Sequence, residues 1–319
     1  MRAVFLDFDT VGPGDTDAKA LFRLLPDLEL HAHTPTELVA ERIADAEIVF
    51  VNKVRLDADV LKQARKLRLV CLAATGTDNV DLNAARERGL AVCNIRDYCT
   101  SSVVQHVFAL ILALTHHLEE YRQLLRERAW ESSPQFCLLD FPIRELAGKT
   151  LGIVGFGVLG SAVASVANAF GMEVIAVQRP TAASAASVAR VSLEELLERA
   201  HIVSLHCPLT PETDNLIDAA ALARMREDAL LINTARGGLI DSDALVAALR
   251  ARDIAGAGID VLRREPPTGP EPLIDVDLPN LIVTPHIAWA AREARQRAIN
   301  QMAENVESFI RGNPRNRVV

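Results

Sequence analysis

Residues 148–180 read GKTLGIVGFGVLGSAVASVANAFGMEVIAVQRP. Thr150 to Val154 is a short, uncharged, largely β-branched run suited to a buried parallel strand. It ends in Gly155-Phe156-Gly157-Val158-Leu159-Gly160. A helical pattern follows at once, with Val163, Val166, Ala167 and Phe170 on one face, and Gly171 is placed to stop it. Glu173 to Val177 then reads as a second strand. Strand, glycine turn, helix and strand within about 30 residues make the unit that seats a dinucleotide pyrophosphate on a helix N-terminus. In that reading Gly155 makes the turn, Gly157 lets the backbone approach the phosphates, and Gly160 lets helix and strand pack closely. The same six residues also suit a strand-to-helix turn that binds nothing.

Working outward, the chain has 319 residues, half of them hydrophobic, enough for a sizeable core and for two domains rather than one. A formal charge of −8 argues against a nucleic-acid or anionic-membrane partner. Met1-Arg2 runs straight into an ordinary strand, without a charged-then-apolar leader, so a cytoplasmic protein is expected. The most apolar helix candidate, Val103 to Leu118, is interrupted by Gln105, His106, His116 and His117 and reads as a core or interface helix. Cys71, Cys93, Cys99, Cys137 and Cys207 form no CxxC pair and read as buried reduced thiols, which leaves no metal site to expect.

The first hundred residues alternate strands (Ala3-Phe8, Glu29-His33, Ile48-Asn52, Leu69-Ala73) with helices near Asp17-Leu25, Thr36-Ile43, Asp57-Ala64 and Asp81-Arg88. Repeated βα units predict a parallel sheet covered on both faces, which binds ligands beyond the carboxyl ends of its strands. Two places qualify: Asn52-Lys53, and the turn from Ala74 to Asp81. Amides of Thr75 and Gly76 in that turn could hold a carboxylate, while Asp78 or Asp81 equally suits an ordinary helix cap. After Asn94, Ser101 or Ser102 is placed to cap a long helix toward Arg128, a crossover between domains. The segment Trp130 to Pro142 breaks the periodicity and reads as a homodimer contact or as an exposed loop.

Beyond the glycine turn, four apolar runs stop at polar or special residues on what should be one sheet edge. His201-His206 ends at Cys207-Pro208, Ala229-Asn233 at Thr234-Ala235-Arg236, Ile254-Ile259 at Asp260, and Leu281-Val283 at Thr284-Pro285-His286. The final helix, Ala291 to Arg311, then crosses back to the first domain. The expected division is residues 1–98 with 290–319 as a flavodoxin-like substrate domain and 99–289 as a dinucleotide-binding domain. Both are α/β, Rossmann-like or flavodoxin-like, built on doubly wound parallel sheets with a cleft between them.

A 2-keto acid needs a fixed positive charge for its carboxylate, a donor for its carbonyl oxygen, and a proton available at neutral pH. Arg236, Glu265 and His286 are residues of the right types, with Glu265 set to orient His286 and stabilise its imidazolium. Singly, Arg236 also suits a salt bridge, Glu265 a surface charge beside Arg264, and His286 a strand end.

Read together and in order, AATGTDNVDLNAARERGLAVCN, GFGVLG, HCPLTPET, LLINTARGGLID, AGAGIDVLRREPP and TPHIAWA resemble the D-isomer-specific 2-hydroxyacid dehydrogenases across nearly the whole chain. NIRDYCTSSVVQHVFALILALTHHL, QFCLLDFPIREL and HIAWAAREARQR resemble the glycerate dehydrogenase and hydroxypyruvate/glyoxylate reductase branch. The resemblance implies Arg236 as the substrate-binding arginine, Glu265 as its acid partner, His286 as general acid/base, and Asp260 as the residue holding the nicotinamide carboxamide. It implies Thr75 and Gly76 on the substrate side, where Asn52 is a further candidate by its place at a strand end, and His206, Cys207, Pro208, Thr213, Thr234 and Ala235 lining the cofactor. One position departs from the family pattern. The acidic residue expected at the end of the second strand falls on Gln178, followed by Arg179. Loss of that carboxylate removes repulsion toward a 2′-phosphate, and the neighbouring Arg179 can pair with it, which favours NADPH or dual use over NADH alone. The reaction implied is reduction of hydroxypyruvate or glyoxylate to D-glycerate or glycolate. The alternatives are a dehydrogenase for another D-2-hydroxy acid such as phosphoglycerate, or a dinucleotide-sensing co-repressor-like binding protein.

Overall fold

All paired strands run parallel in the computed structural model, which describes residues 1–178, 188–313 and 315–319 and divides into two units. Unit 1 comprises Met1–Cys99 and Trp289–Val319, and unit 2 comprises Thr100–Ala288.

In unit 1, β1 (Ala3–Phe5), β2 (Leu28–Leu30), β3 (Ile48–Val51), β4 (Leu69–Leu72) and β5 (Ala91–Cys93) form one sheet in the order β2-β1-β3-β4-β5. The alternation of a strand sends Val4, Val49, Val51, Val70, Leu72 and Val92 into one apolar layer. Ala3, Phe5, Ile48, Phe50, Leu69 and Cys71 go into the other. With both faces covered, each central strand must be apolar at every position, and β1, β3 and β4 are. The helix Arg292–Ile310 lays Ala294, Ala298, Met302 and Val306 on the second layer, which is how the end of the chain returns to unit 1.

In unit 2, β6 (Thr150–Val154), β7 (Glu173–Val177), β8 (Ala189–Val191), β9 (Ile202–Leu205), β10 (Leu230–Asn233), β11 (Gly256–Ile259) and β12 (Leu281–Val283) are ordered β12-β11-β10-β9-β6-β7-β8. The chain starts at β6, builds outward to β8, then returns to the other side of β6 and builds out to β12. The order therefore reverses between β6 and β9, the place where open parallel sheets take their ligands.

Three elements differ from the sequence expectation. The edge strands β5 and β8 are each only three residues long; β5 is apolar and buried throughout but too short to stand out, and β8 buries only its last residue. The long helix starts at Thr100, so neither serine caps it; Ser102 Oγ instead donates to the Ala288 carbonyl at 2.6 Å from within the helix. It does not run on to Arg128 either. His117 takes the left-handed conformation (φ 50°), ending the helix at His116, and Leu118–Arg126 continues at a bend of 55°. No single helix among the described residues is long and apolar enough to cross a membrane.

Candidate active site

The turn after β6 is built as the glycine spacing requires. Gly155 sits at φ +99°, and a Cβ there would lie 2.5 Å from the backbone of His206 and Cys207, so the turn packs on the end of β9 only without a side chain. The helix Val158–Ala169 begins immediately, with Gly157 at its N-cap and no side chain capping it. The first amides of a helix have no intrahelical acceptor, and they attract an anion. A Cβ on Gly157 would meet nothing within 4 Å, so the chain itself does not require glycine there, whereas a phosphate approaching the backbone would. A second observation agrees. Thr234 Oγ1, at the end of β10, is buried and lacks a hydrogen-bond partner among the described residues. A buried hydroxyl left unsatisfied is costly, and a bound group with a donor or acceptor at that strand end would satisfy it. The residues therefore fit a dinucleotide.

The other residues expected to line it hold this edge together. Asn233 Oδ1 accepts the Ala235 amide at 3.0 Å, and Asn233 Nδ2 donates to the Arg236 carbonyl at 2.9 Å, which tightens the turn after β10. Thr213 Oγ1 accepts the Thr210 amide at 2.8 Å and donates to the Pro208 carbonyl at 2.8 Å, fixing the loop that follows Cys207. His206 Nε2 lies 2.9 Å from Ser204 Oγ, and burial pushes its pKa down to about 4, so the ring is neutral at physiological pH. Gln178 is exposed at the end of β7, its amide donating to the Val191 carbonyl at 2.9 Å. Arg179 lies outside the described residues.

Arg236, Glu265 and His286 follow β10, β11 and β12, which are neighbours in the sheet. A Cβ on Gly237 would lie 1.9 Å from the Leu262 carbonyl carbon, so the turn carrying Arg236 is in direct backbone contact with the loop that leads to Glu265. The Arg236 guanidinium donates to the Ala235 carbonyl at 2.7 Å. Glu265 Oε1 accepts the Leu262 amide at 2.8 Å, and Oε2 sits 2.5 Å from His286 Nδ1. A carboxylate only accepts, so Nδ1 carries the hydrogen and Nε2 is the nitrogen that gains and loses a proton. Both side chains are partly exposed, His286 to 26% and Glu265 to 31%.

The backbone at His286 is held in the left-handed region (φ 54°), uncommon for a residue with a side chain. Asp260, only 1% exposed, holds it there. Its carbonyl accepts the His286 amide at 2.8 Å. Its carboxylate accepts the Ile287 amide at 2.9 Å, the Ala288 amide at 2.8 Å and the Thr284 hydroxyl at 2.5 Å. Burial alone would raise the Asp260 pKa, but hydrogen bonds from His106, Thr284, Ala288 and Ile287 outweigh it and hold the group below the ordinary carboxylate range.

Sequence reasoning missed two of these groups. Thr284 and His106 back Asp260 together: the single Thr284 proton goes to Asp260, so the His106 Nε2 hydrogen is shared between Thr284 Oγ1 at 2.9 Å and Asp260 Oδ1 at 3.4 Å. His106 was legible only as a polar interruption of an apolar helix. Arg190 was missed as well; its guanidinium lies over the Phe156 ring at 4.3 Å.

In unit 1, Asp81 caps the helix Leu82–Glu87, accepting the amides of Asn83 and Ala84, so the cap expected at the end of the Ala74–Asp81 turn is present. Thr75 Oγ1 donates to the Ile95 carbonyl at 2.9 Å, and the Thr75 carbonyl accepts from Asn94. The amides of Thr75 and Gly76 meet no acceptor among the described residues. Asn52 is 3% exposed, with its backbone amide given to Asp7 and its Nδ2 donating to Thr10 Oγ1 at 3.0 Å, so its donors are engaged within unit 1.

A sheet that can seat a dinucleotide at its switch point and that holds an oriented imidazole at neighbouring strand ends is equipped for dinucleotide-linked interconversion of alcohols and carbonyls. Comparison with known proteins gives the class its particular form. The model of the D-isomer specific 2-hydroxyacid dehydrogenase NAD binding domain matches residues 108–288. A glycerate dehydrogenase of Methylorubrum extorquens is 47% identical over 283 residues, covering 89% of this chain and 88% of its own. A hydroxypyruvate reductase of Blautia hydrogenotrophica is 39% identical over 320 residues, 99% of each. A solved acyclic imino acid reductase in complex with NADPH and D-Arg superposes with a TM-score of 0.88 at 28% identity, over all of both chains. The chain belongs to the D-isomer-specific 2-hydroxyacid dehydrogenases and is a nicotinamide-dependent oxidoreductase of that family.

Proposed function

We propose that this enzyme reduces hydroxypyruvate or glyoxylate to D-glycerate or glycolate, with NADPH favoured or both coenzymes used. The observation that carries the reading is the 2.5 Å contact between His286 Nδ1 and Glu265, which supports Nε2 as the proton donor. The relatives named for glycerate and hydroxypyruvate support the substrate.

The glycine turn and the helix Val158–Ala169 hold the pyrophosphate, Thr234 and the loop from His206 to Thr213 line the cofactor, and Asp260 receives the carboxamide. Bound, the reduced nicotinamide supplies the hydride for the substrate carbonyl carbon. Arg236 pairs with the substrate as negative charge grows on its oxygens, and the Thr75 and Gly76 amides receive its carboxylate. Asn52 supports the substrate side by holding its own loop. Protonated His286 gives the Nε2 proton to the carbonyl oxygen as that oxygen becomes a hydroxyl. Glu265 keeps the ring oriented and faces the positive charge while it lasts. In the oxidative direction neutral His286 takes the proton back.

The test is a panel of 2-keto acids (hydroxypyruvate, glyoxylate, pyruvate, phosphohydroxypyruvate) run with each coenzyme. The highest kcat/KM is expected with hydroxypyruvate or glyoxylate. A preference for phosphohydroxypyruvate by about tenfold or more, a difference of about 1.4 kcal/mol in transition-state binding, would overturn the substrate assignment.

Two further parts belong to the proposal. Leu118, Leu125, Trp130, Phe136, Leu139 and Ile143 are exposed over one short stretch, Phe136 to 90%, and this apolar surface is assigned to a homodimer contact, checked by sedimentation equilibrium. All five cysteines are free, in keeping with a cytoplasmic location.

A further inference from the structure

Arg190 has no role in the fold commensurate with its placement. It lies on the edge strand β8, where parallel pairing sets it beside Ala176 of β7 and sets Val191 beside Val177, with the Gln178 amide bonded to the Val191 carbonyl. Side chains two apart on a strand share a face, so Ala176 and Gln178 point to the same side as their neighbour Arg190. The small Ala176 leaves the long side chain room to cross β7 toward the glycine turn, and the guanidinium comes to rest over the ring of Phe156, 4.3 Å from its centroid. Phe156 is the second residue of the turn that seats the pyrophosphate. No carboxylate among the described residues pairs with Arg190, and the stretch 179–187, RPTAASAAS, has none to offer.

A guanidinium stacked on an aromatic face keeps its donors in its own plane, a fork matched to two oxygens of a phosphate. On this edge of the sheet the strand end that would otherwise present a carboxylate to the ribose presents the neutral Gln178. A fixed cation beside a strand end without an acid is complementary to a ribose carrying a dianion and gains nothing from a ribose with two hydroxyls. We infer that Arg190, held on Phe156, reads the 2′-phosphate of NADPH and sets the coenzyme preference. The assignment rests on the reading that Gly155–Gly160 seats a dinucleotide.

The experiment measures dissociation constants of the full chain for NADPH and NADH by fluorescence titration, and for the fragments 2′,5′-ADP and 5′-ADP by calorimetry, in wild type, Arg190→Gln and Arg190→Lys. Wild type is expected to bind NADPH and 2′,5′-ADP more tightly than their unphosphorylated counterparts. Arg190→Gln should weaken both 2′-phosphorylated ligands by about tenfold to a hundredfold, the range for a hydrogen bond to a charged group. It should change NADH and 5′-ADP by less than about twofold, which doubles as the check that the variant is folded, and Arg190→Lys should recover part of the loss through charge alone. Equal weakening of phosphorylated and unphosphorylated ligands, or no change in either, would overturn the assignment and leave the glycine-turn reading standing. Failure of the wild type to bind any of the four ligands would overturn both.

Discussion

Each unit contains a buried aspartate at the end of a strand that gathers the amides of a loop following another strand, and the two are put to different use. In unit 1, Asp7 is 3% exposed and accepts the amides of Asn52, Lys53 and Val54 at 2.9, 2.6 and 3.1 Å. In unit 2, Asp260 is 1% exposed and accepts the amides of Ile287 and Ala288, with Thr284 and His106 stacked behind it. The device is the same: a charged acceptor satisfies several backbone donors at once and fixes a loop that would otherwise fray. What differs is the cargo. The loop pinned by Asp260 carries His286 in a left-handed conformation against Glu265, whereas the loop pinned by Asp7 has its donors consumed. Within unit 1 the amides of Thr75 and Gly76, one strand further along, meet no acceptor among the described residues. A pinned loop is thus a matter of stability in one unit and, in the proposed reaction, of proton transfer in the other.

Truncating both aspartates separates the two uses. Asp260→Ala strips the Ile287 and Ala288 amides of their acceptor and frees His286 to rotate. Turnover should fall by about a hundredfold or more, and stability by about 3 kcal/mol in urea unfolding. Asp7→Ala should cost a similar amount of stability, about 2 to 3 kcal/mol, while kcat per folded molecule falls by less than about tenfold. Equal losses of turnover in the two variants would erase the distinction.

Acid should act on unit 2 through His206. Its folded pKa of about 4 lies below the ordinary 6.5. The unfolded chain therefore binds the proton more readily, and the stabilisation, fully present above pH 6.5, is lost as pH falls toward 4. The loss amounts to about 3 kcal/mol over that window, read from urea unfolding at several pH values. His206→Gln should flatten the slope; an unchanged slope would mean that another group governs it. The smallest effect is expected from His106→Phe, which removes the imidazole backing Asp260. Turnover should drop by about threefold to tenfold with melting little changed, since one hydrogen bond is worth about 1 kcal/mol. A loss as large as that of Asp260→Ala would make His106 more than a support.

Much of this was legible in the sequence because it was local. The run Thr150–Val154, the glycine turn and the run Glu173–Val177 are each continuous in the chain, and all three lie where the pattern put them. The strand ends were legible for the same reason: an apolar run that stops at Asp260 or at Pro285-His286 announces its edge. The rest depends on contacts between residues distant in the chain, which carry no local signal. β8 is three residues long and only its last is buried, so nothing marked it as a strand, and without it Arg190 could not be placed against Phe156. His106 reads as a polar blemish on an apolar helix until Thr284 and Asp260 are beside it. The break at His117 follows from one backbone angle that no periodicity announces. The position of Asn52 likewise could not foretell that its backbone amide and Nδ2 are given to Asp7 and Thr10.

The most direct test of the central claim, that His286 oriented by Glu265 delivers the proton, is the turnover of His286→Ala with hydroxypyruvate, measured beside its affinity for reduced coenzyme. A fall in kcat of about a hundredfold or more with the coenzyme dissociation constant unchanged within about threefold is expected. Near-normal turnover in a folded, coenzyme-binding His286→Ala protein would contradict it.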